Sequence, residues 1–202
     1  MLPLLRYCCV LSTLFSTLCG TPHSGHAAES RLVHCDSRTT CVPTLGIAVT
    51  LPKNWRATLT SYGLAVGPIA GKQHTAEGRL LITRLGWTTR CSDRRIVSTA
   101  AEYWIRHSDP ALHITLQPMV ISGAPAIRIT GLPGQGDFNV TLLVAHQGLL
   151  YGIYAFDSVH TTLTGGQRHV LAHLQFLPRV GRFPPQRDRS VATALQGCGS
   201  RS

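Results

Sequence analysis

Short runs of alternating apolar and polar residues predict β-strands along most of the chain. In GIAVTLPKNW, residues 46–55, the apolar positions Ile47, Val49 and Leu51 alternate with Ala48 and Thr50, which is typical of a half-buried strand. Pro52 then ends the strand, because proline has no N–H to donate to a neighbour. The same pattern predicts further strands at 56–60, 63–69, 79–87, 113–122, 125–130, 138–146 and 149–156.

Two segments repeat their apolar residues at the helical spacing instead. The first follows a capping residue, Ser92 or Asp93, and ends at the Asp109–Pro110 pair. Its apolar stripe consists of Ile96, Val97, Ala100, Ala101, Trp104 and Ile105. The second segment spans 165–176, with Val170, Leu171 and Leu174 as its apolar stripe.

The order of these elements predicts an α+β domain over residues 46–178, with a single, largely antiparallel sheet packed against two main helices. A doubly wound parallel sheet is excluded, because most of the predicted strands have no helix between them. Residues 29–45 form a separate cysteine-containing segment. The Pro/Arg-rich tail, 179–202, shows no clear period, and we expect it to be extended or mobile except where a cysteine holds it.

The N-terminus predicts export. A single basic residue, Arg6, precedes an uncharged, mostly apolar run over 7–18, and small residues end near Ala27 or Ala28. This layout is typical of a secretory signal peptide over 1–28, and the run is shorter than the roughly 20 residues of a membrane-spanning helix. We therefore expect a periplasmic or secreted protein that meets the membrane only through its signal segment.

Four of the seven cysteines follow the predicted signal peptide: Cys35, Cys41, Cys91 and Cys198. An even number in an exported chain favours disulfide bonds. Cys35 and Cys41 share a short polar segment that can close on itself, which leaves Cys91 to pair with Cys198. The spacing alone leaves all three pairings open. A zinc site is disfavoured because no two of these cysteines form a CxxC pair.

The net charge argues for solubility rather than for a particular function. Without Arg6, the chain keeps 18 basic against 9 acidic residues, and nearly all of the basic residues are scattered arginines. Such an excess favours acidic polymers or anionic surfaces in general. No nucleic-acid-binding motif accompanies it, so we expect no specific nucleic-acid partner.

Three local patterns together resemble the Mog1/PsbP-like fold. These are the strand that ends in LP before Trp55, the segment GLLYGIYAF at 148–156, and HLQFLP at 173–178. The resemblance covers 46–178 and implies that Trp55 packs over one end of the sheet. Members of this family are mainly binding or assembly factors, for instance on a small GTPase or on photosystem II. None of their functional residues maps onto this chain, and the paired cysteines and Arg-rich tail depart from the family pattern.

The best candidate for chemistry is the pair His169 and His173. On a helix, residues four apart share a face, so the two imidazoles can approach one metal ion, with Asp157 or His160 completing the site. The HExxH motif is absent, however, and two solvent-facing histidines on the polar side of the helix explain the pattern more simply. A GxSxG nucleophile elbow is also absent, and no two of the nine acidic residues stand out as a catalytic pair.

These observations favour a non-enzymatic binding or accessory domain, with a protein partner and no cofactor. One alternative is a metal-dependent or hydrolytic enzyme that uses the His169/His173 face. Another is a carrier of a small apolar ligand, lined by Trp87, Trp104 and Tyr151. A deep pocket with perturbed titratable groups would favour the enzyme, an apolar cavity the carrier, and a flat exposed apolar patch the binding domain.

Overall fold

The computed structural model describes residues 32–69, 78–132, 138–156, 162–178, 189–196 and 198. The predicted signal peptide lies outside these ranges. In the described part of the chain, eleven strands and three helices follow in the order β1 (Val33–His34), β2 (Thr39–Val42), β3 (Ile47–Thr50), β4 (Trp55–Leu59), β5 (Leu64–Pro68), β6 (Arg79–Trp87), α1 (Asp93–Arg106), β7 (Thr115–Ile121), β8 (Ala124–Thr130), β9 (Phe138–His146), β10 (Leu149–Phe156), α2 (Gly165–Ala172), β11 (Leu174–Phe176) and α3 (Arg189–Gln196).

The strands form two antiparallel sheets. One has seven strands in the order β4–β5–β6–β10–β9–β8–β7, and the other has four in the order β1–β2–β3–β11. Antiparallel pairing and the α+β class agree with the sequence prediction. The prediction of a single sheet was wrong, because alternation identifies a strand and its two faces but does not identify the strand beside it.

The segment that joins the two sheets contains Pro52 and Trp55. The chain leaves the four-stranded sheet at the end of β3 and enters the seven-stranded sheet at Trp55, with Asn54 in the left-handed region at φ 66°. The Trp55 side chain is 6% exposed, and its ring lies against Gly166 at the start of α2. Trp55 therefore packs over one end of the core between the sheets.

The seven-stranded sheet is covered on both faces. One apolar core lies between it and the four-stranded sheet, and the second lies under α1 and α3. Strand β9 contributes to both cores. Val140, Leu142 and Val144 face the first core, whereas Leu143 and Ala145 face the second. This two-sided burial explains why β9 is almost continuously apolar.

Helix α1 begins where the sequence predicts. The Ser92 side chain accepts a hydrogen bond from the backbone N–H of Arg95 at 3.4 Å, as expected of an N-cap. Helix α3, in contrast, lies inside the tail that we expected to be extended or mobile except where a cysteine holds it. That expectation was wrong for 189–196, which form a helix, and most of the rest of the tail lies outside the described residues. Val191 and Leu195, four residues apart, are each 1% exposed, and this apolar pair packs in the second core.

The second predicted helix was too long. Helix α2 ends at Ala172, His173 caps it, and Leu174–Phe176 form strand β11 along β3. Leu174 continues the apolar spacing of the helix, and no glycine or proline marks the break. The sequence pattern therefore could not separate the two elements.

The cysteine-containing segment is part of the four-stranded sheet. Cys41 lies in β2, which pairs with β3 across the turn that contains the predicted boundary at 46. Disulfide bonds join Cys35 to Cys41 and Cys91 to Cys198, with Cα–Cα distances of 5.8 and 6.1 Å. The pairing favoured from the sequence is the pairing in the structure. No helix in the described ranges has the length and apolar character needed to cross a membrane.

Candidate functional site

The hairpin of β7 and β8 forms one edge of the seven-stranded sheet. In the described part of the chain, no strand pairs with the outer side of β7. The turn of this hairpin is fixed to the other sheet, because the Ser122 hydroxyl donates a hydrogen bond to the backbone carbonyl of Leu174 in β11. Ser122 and Gly123 both have positive φ, at 51° and 79°. Ser122 is thus a turn residue with a structural hydrogen bond.

One face of this hairpin carries exposed apolar residues, which we name the apolar strip. Cross-strand pairing places Pro118 opposite Ile127 and Val120 opposite Pro125, on the face that bears α1. Helix α1 packs on β8 and β9, and further out on β7 Val120 keeps 67% and Leu116 36% of its side chain exposed. The apolar strip consists of Leu116, Pro118, Val120, Pro125 and Ile127.

The opposite face of the same hairpin is polar at its open end. A depression of about 360 Å³ is lined by Thr115, Gln117, Arg128, Thr130 and Gly131. The four side chains belong to two directly opposed cross-strand pairs, Thr115 with Thr130 and Gln117 with Arg128. Arg128 brings a cation and hydrogen-bond donors to this face. The edge thus presents an apolar surface on one side and a polar, basic one on the other.

The titratable groups with clearly shifted pKa values, Asp36, His146 and Tyr151, lie elsewhere. Hydrogen bonds from Arg38 and Thr39 lower the pKa of Asp36, and burial shifts the pKa values of the other two.

The Tyr151 hydroxyl donates to the backbone carbonyl of Leu45 at 2.8 Å, and burial raises the pKa of Tyr151 to about 12. A nitrogen of the neighbouring Arg84 guanidinium, Nη1, donates to the carbonyl of Thr44 at 2.8 Å. Together these two side chains hold the turn between β2 and β3 against the large sheet.

His146 stacks on Phe176, with 4.6 Å between the ring centroids. Burial lowers the pKa of His146, and the nearby Asp93 carboxylate opposes that shift. Asp93 itself accepts hydrogen bonds from the backbone N–H groups of Gln147 and Gly148, both at 2.8 Å. Neither His146 nor Tyr151 lines the polar depression beside β7 or a smaller one near Tyr62. Tyr151 thus secures the turn between β2 and β3, and Asp93, beside His146, secures the turn between β9 and β10.

The predicted metal ligands His169 and His173 do lie together at the end of α2. Their ring centroids are 4.2 Å apart, and His173 Nδ1 is 2.8 Å from the backbone carbonyl of His169. Helix α1 ends in the same way. There, the ring of His107 stacks on that of Tyr103 at 4.0 Å, and His107 Nδ1 is 2.7 Å from the carbonyl of Tyr103. In α1 the residue four positions before the capping histidine is a tyrosine, so the same geometry forms there without a second histidine. Helix capping alone therefore accounts for the geometry in both helices.

The proposed third ligands, Asp157 and His160, lie outside the described residues. Within the described ranges, no three His, Cys, Asp or Glu side chains come together as a metal site. The His169/His173 pair thus remains a prediction that only metal-binding measurements can test.

The three aromatic residues proposed to line a carrier cavity do not share one face. Tyr151 and Trp87 belong to the core between the sheets, whereas Trp104 packs with α1 on the other side of the seven-stranded sheet. No single cavity can be lined by all three, because the sheet separates them.

The sequence analysis missed the apolar strip, although a signal for it was present. Pro118 lies in the middle of a predicted strand, and proline inside a strand is typical of a sheet edge. The alternation on either side of Pro118 then gives Leu116 and Val120 the same face as the proline.

Comparison with known proteins gives a limited result. No protein-family model matches the chain, and no curated protein matches it. Among solved structures, the solution structure of cyanobacterial PsbP (CyanoP) from Synechocystis sp. PCC 6803 is 9% identical with a TM-score of 0.41, and the alignment covers 75% of this chain and 96% of that one. A crystal structure from Bacteroides thetaiotaomicron VPI-5482 is 7% identical with a TM-score of 0.36, and the alignment covers 69% of this chain and 48% of that one. The resemblance to PsbP that the sequence suggested is thus also a structural one, and at these scores it carries no conclusion about function.

Proposed function

We propose that this chain is an exported, disulfide-stabilised, non-enzymatic domain that binds a protein partner through the β7–β8 edge. The observation that carries the proposal is the apolar strip, in which Val120 is 67% exposed. Contiguous apolar surface of this kind is costly to leave in water and is typical of interaction sites.

The chemistry of the edge favours contact through side chains. Pro118 removes one N–H from β7, so an added strand cannot form a complete ladder along this edge. The apolar strip presents Leu116 and Val120 to a partner. The surface of the partner that covers them must then be apolar as well.

Charge complementarity indicates what surrounds that contact on the partner. The chain carries 19 Lys and Arg residues against 9 Asp and Glu, and β7 itself has no charged side chain. A second copy would carry the same basic excess, so two copies of this chain repel one another overall. We therefore propose a different protein, with carboxylates around an apolar centre.

The proposed compartment is the periplasm or the extracellular space. Two disulfide bonds indicate an oxidising environment, in which such bonds persist. The signal-peptide pattern at residues 1–28 supports the same route.

The test compares two aspartate substitutions at exposed apolar positions. Val120→Asp places a charge in the strip, whereas Ile69→Asp, at a position that is 53% exposed, places one just after β5, outside the strip. The tagged wild type and both variants are recovered from the exporting host, and co-purifying proteins are quantified by mass spectrometry. We expect one stoichiometric acidic protein to be lost with Val120→Asp, kept with Ile69→Asp, and released as the salt concentration rises.

Three results would contradict the proposal. A partner retained equally by both variants would place the interface elsewhere. A wild-type dimer in sedimentation experiments that Val120→Asp dissociates would make the strip a contact between copies of this chain. Recovery of no partner, together with a tightly bound metal lost on substitution of His169 and His173, would favour the metal-dependent alternative.

A further inference from the structure

Helix α3 is a short helix that depends on its surroundings. It has eight residues, and an isolated helix of that length is unstable in water. It packs on α1 and on β6. Its buried side chains Val191 and Leu195 lie over Gly86 of β6, where the absent side chain leaves room for them.

The Cys91–Cys198 bond fixes this helix at its C-terminal end. Cys198 comes two residues after Gln196, the last residue of α3, and Cys91 directly precedes the N-cap of α1. The hydroxyl of Thr99 in α1 lies 3.8 Å from Cys198 Sγ and donates to it. The bond thus joins the end of α3 to the helix beside it. Both cysteines are half-buried and pack against the second core.

We propose that the Cys91–Cys198 bond is a redox latch that holds α3 over an apolar groove between α1 and β6. A dithiol reductant opens the latch. One of its thiolates attacks a bridge sulfur, the Sγ–Sγ bond breaks, and a mixed disulfide forms. The second thiol of the reductant then attacks the mixed disulfide and releases the cysteine bound in it. Two electrons and two protons pass to the protein, which now has two cysteine thiols, and the reductant becomes a disulfide.

Opening the latch releases α3 without unfolding the sheets. No α3 side chain that the structure describes belongs to the core between the two sheets, and the Cys35–Cys41 bond lies in the other sheet. The released state exposes Leu85 and Leu150, which pack with Val191 and Leu195 in the second core. Local opening of this kind is expected where few contacts hold a short terminal element. This surface differs from the apolar strip, and the proposal does not depend on it.

The test measures hydrogen exchange along the chain before and after reduction. Wild-type protein is compared with and without a dithiol reductant, and two double variants are measured beside it, Cys91→Ser/Cys198→Ser and, as the matched control, Cys35→Ser/Cys41→Ser. We expect the protection of 189–196 to fall at least about tenfold on reduction and in the first variant, with β9 and β10 unchanged. In the control variant, 189–196 keeps its protection.

Two outcomes overturn the proposal. If 189–196 stays protected after the Cys91–Cys198 bond is shown to be reduced by thiol labelling, packing alone holds the helix. If β9 and β10 lose protection together with 189–196, the bond stabilises the whole domain and is not a local latch. Because reduction is applied to folded wild-type protein, the test does not depend on whether the serine variants fold.

Discussion

At the scale of single residues, Gln167 shows how one polar side chain joins several elements. It is fully buried, at 0% exposed, and its Nε2 donates to the backbone carbonyls of Arg79 and Phe156 at 3.1 and 3.2 Å. Its Oε1 accepts from the N–H of Thr164, which completes a capping box at the start of α2. The sequence TGGQ contains the capping-box spacing, so the cap was predictable, but the two distant carbonyls were not.

Replacing Gln167 tests this role. We expect Gln167→Ala to lower the free energy of unfolding by about 2–4 kcal/mol, because two partly buried hydrogen bonds to backbone carbonyls are lost together with the cap. The exposed Gln175 in β11 is the matched control, and Gln175→Ala should change the free energy by no more than about 0.5 kcal/mol. Urea unfolding measures both. If the two substitutions changed the free energy of unfolding equally, the buried hydrogen bonds of Gln167 would contribute nothing to stability.

His146 gives the protein a pH dependence with a definite sign. Its folded-state pKa lies below the ordinary value of 6.5, because burial disfavours the charged ring. The neutral ring therefore stabilises the fold fully above about pH 6.5, and this contribution declines as the pH falls through the folded-state pKa. Asp93 opposes the shift, and Tyr151 stays protonated throughout.

The measurement is the free energy of unfolding as a function of pH for the wild type and His146→Gln. Other groups titrate over the same range in both proteins, so the difference between the two curves isolates His146. We expect the variant to lose less stability than the wild type between about pH 7 and pH 5. Parallel curves would show that His146 binds protons equally in the folded and unfolded chain.

At the scale of elements, a strand or helix can be predicted from the sequence when its own residues carry the pattern that defines it. Strands β6, β9 and β10 begin and end where alternation predicts, and α1 begins after its predicted cap. Strand β11 was missed because Leu174 fits the helical stripe before it. Helix α3 was missed because the Pro/Arg content of the tail hid the spacing between Val191 and Leu195. The apolar strip was missed because its exposure depends on how far α1 extends over the sheet, which no local pattern specifies.

The start of α2 offers a matched pair of substitutions. The Gly166 backbone touches the Trp55 ring, so a methyl group there collides with the indole, whereas Gly165 has open space beside it. We expect Gly166→Ala to destabilise the protein by about 1–3 kcal/mol. Gly165→Ala should be neutral or stabilising by up to about 1 kcal/mol, because alanine favours the helix. Chemical denaturation of both variants distinguishes the Trp55 contact from helix propensity, and a stable Gly166→Ala protein would contradict the contact.

At the scale of the whole molecule, the fold is a seven-stranded sheet covered by a smaller sheet on one face and by two helices on the other. The sequence predicted the class and the pairing direction, but not the division into two sheets. The smaller sheet includes residues before the predicted 46–178 domain, since Cys41 and Val42 are buried in β2. The helical layer on the other face includes residues after that domain, since Val191 is buried in α3. The folded unit therefore extends beyond both of the predicted boundaries.

Truncation tests this conclusion. A chain limited to 46–178 lacks β1, β2 and α3, which uncovers both cores. We expect it to be unfolded or aggregated, whereas a chain of 29–202 unfolds cooperatively on heating, as followed by circular dichroism. A chain of 46–178 with a cooperative transition like that of the longer protein would show that the flanking segments are dispensable.

The pairing of β3 with β11 also sets the order of events during biosynthesis. Val49 emerges early, but its partner Leu174 follows more than a hundred residues later. Until then β3 has β2 on one side and an open edge on the other, and the core beneath it is exposed to water. Closing so long a loop is slow. The nascent chain consequently depends on remaining soluble in an open form, and its surplus of arginines keeps such chains apart until the last strand arrives.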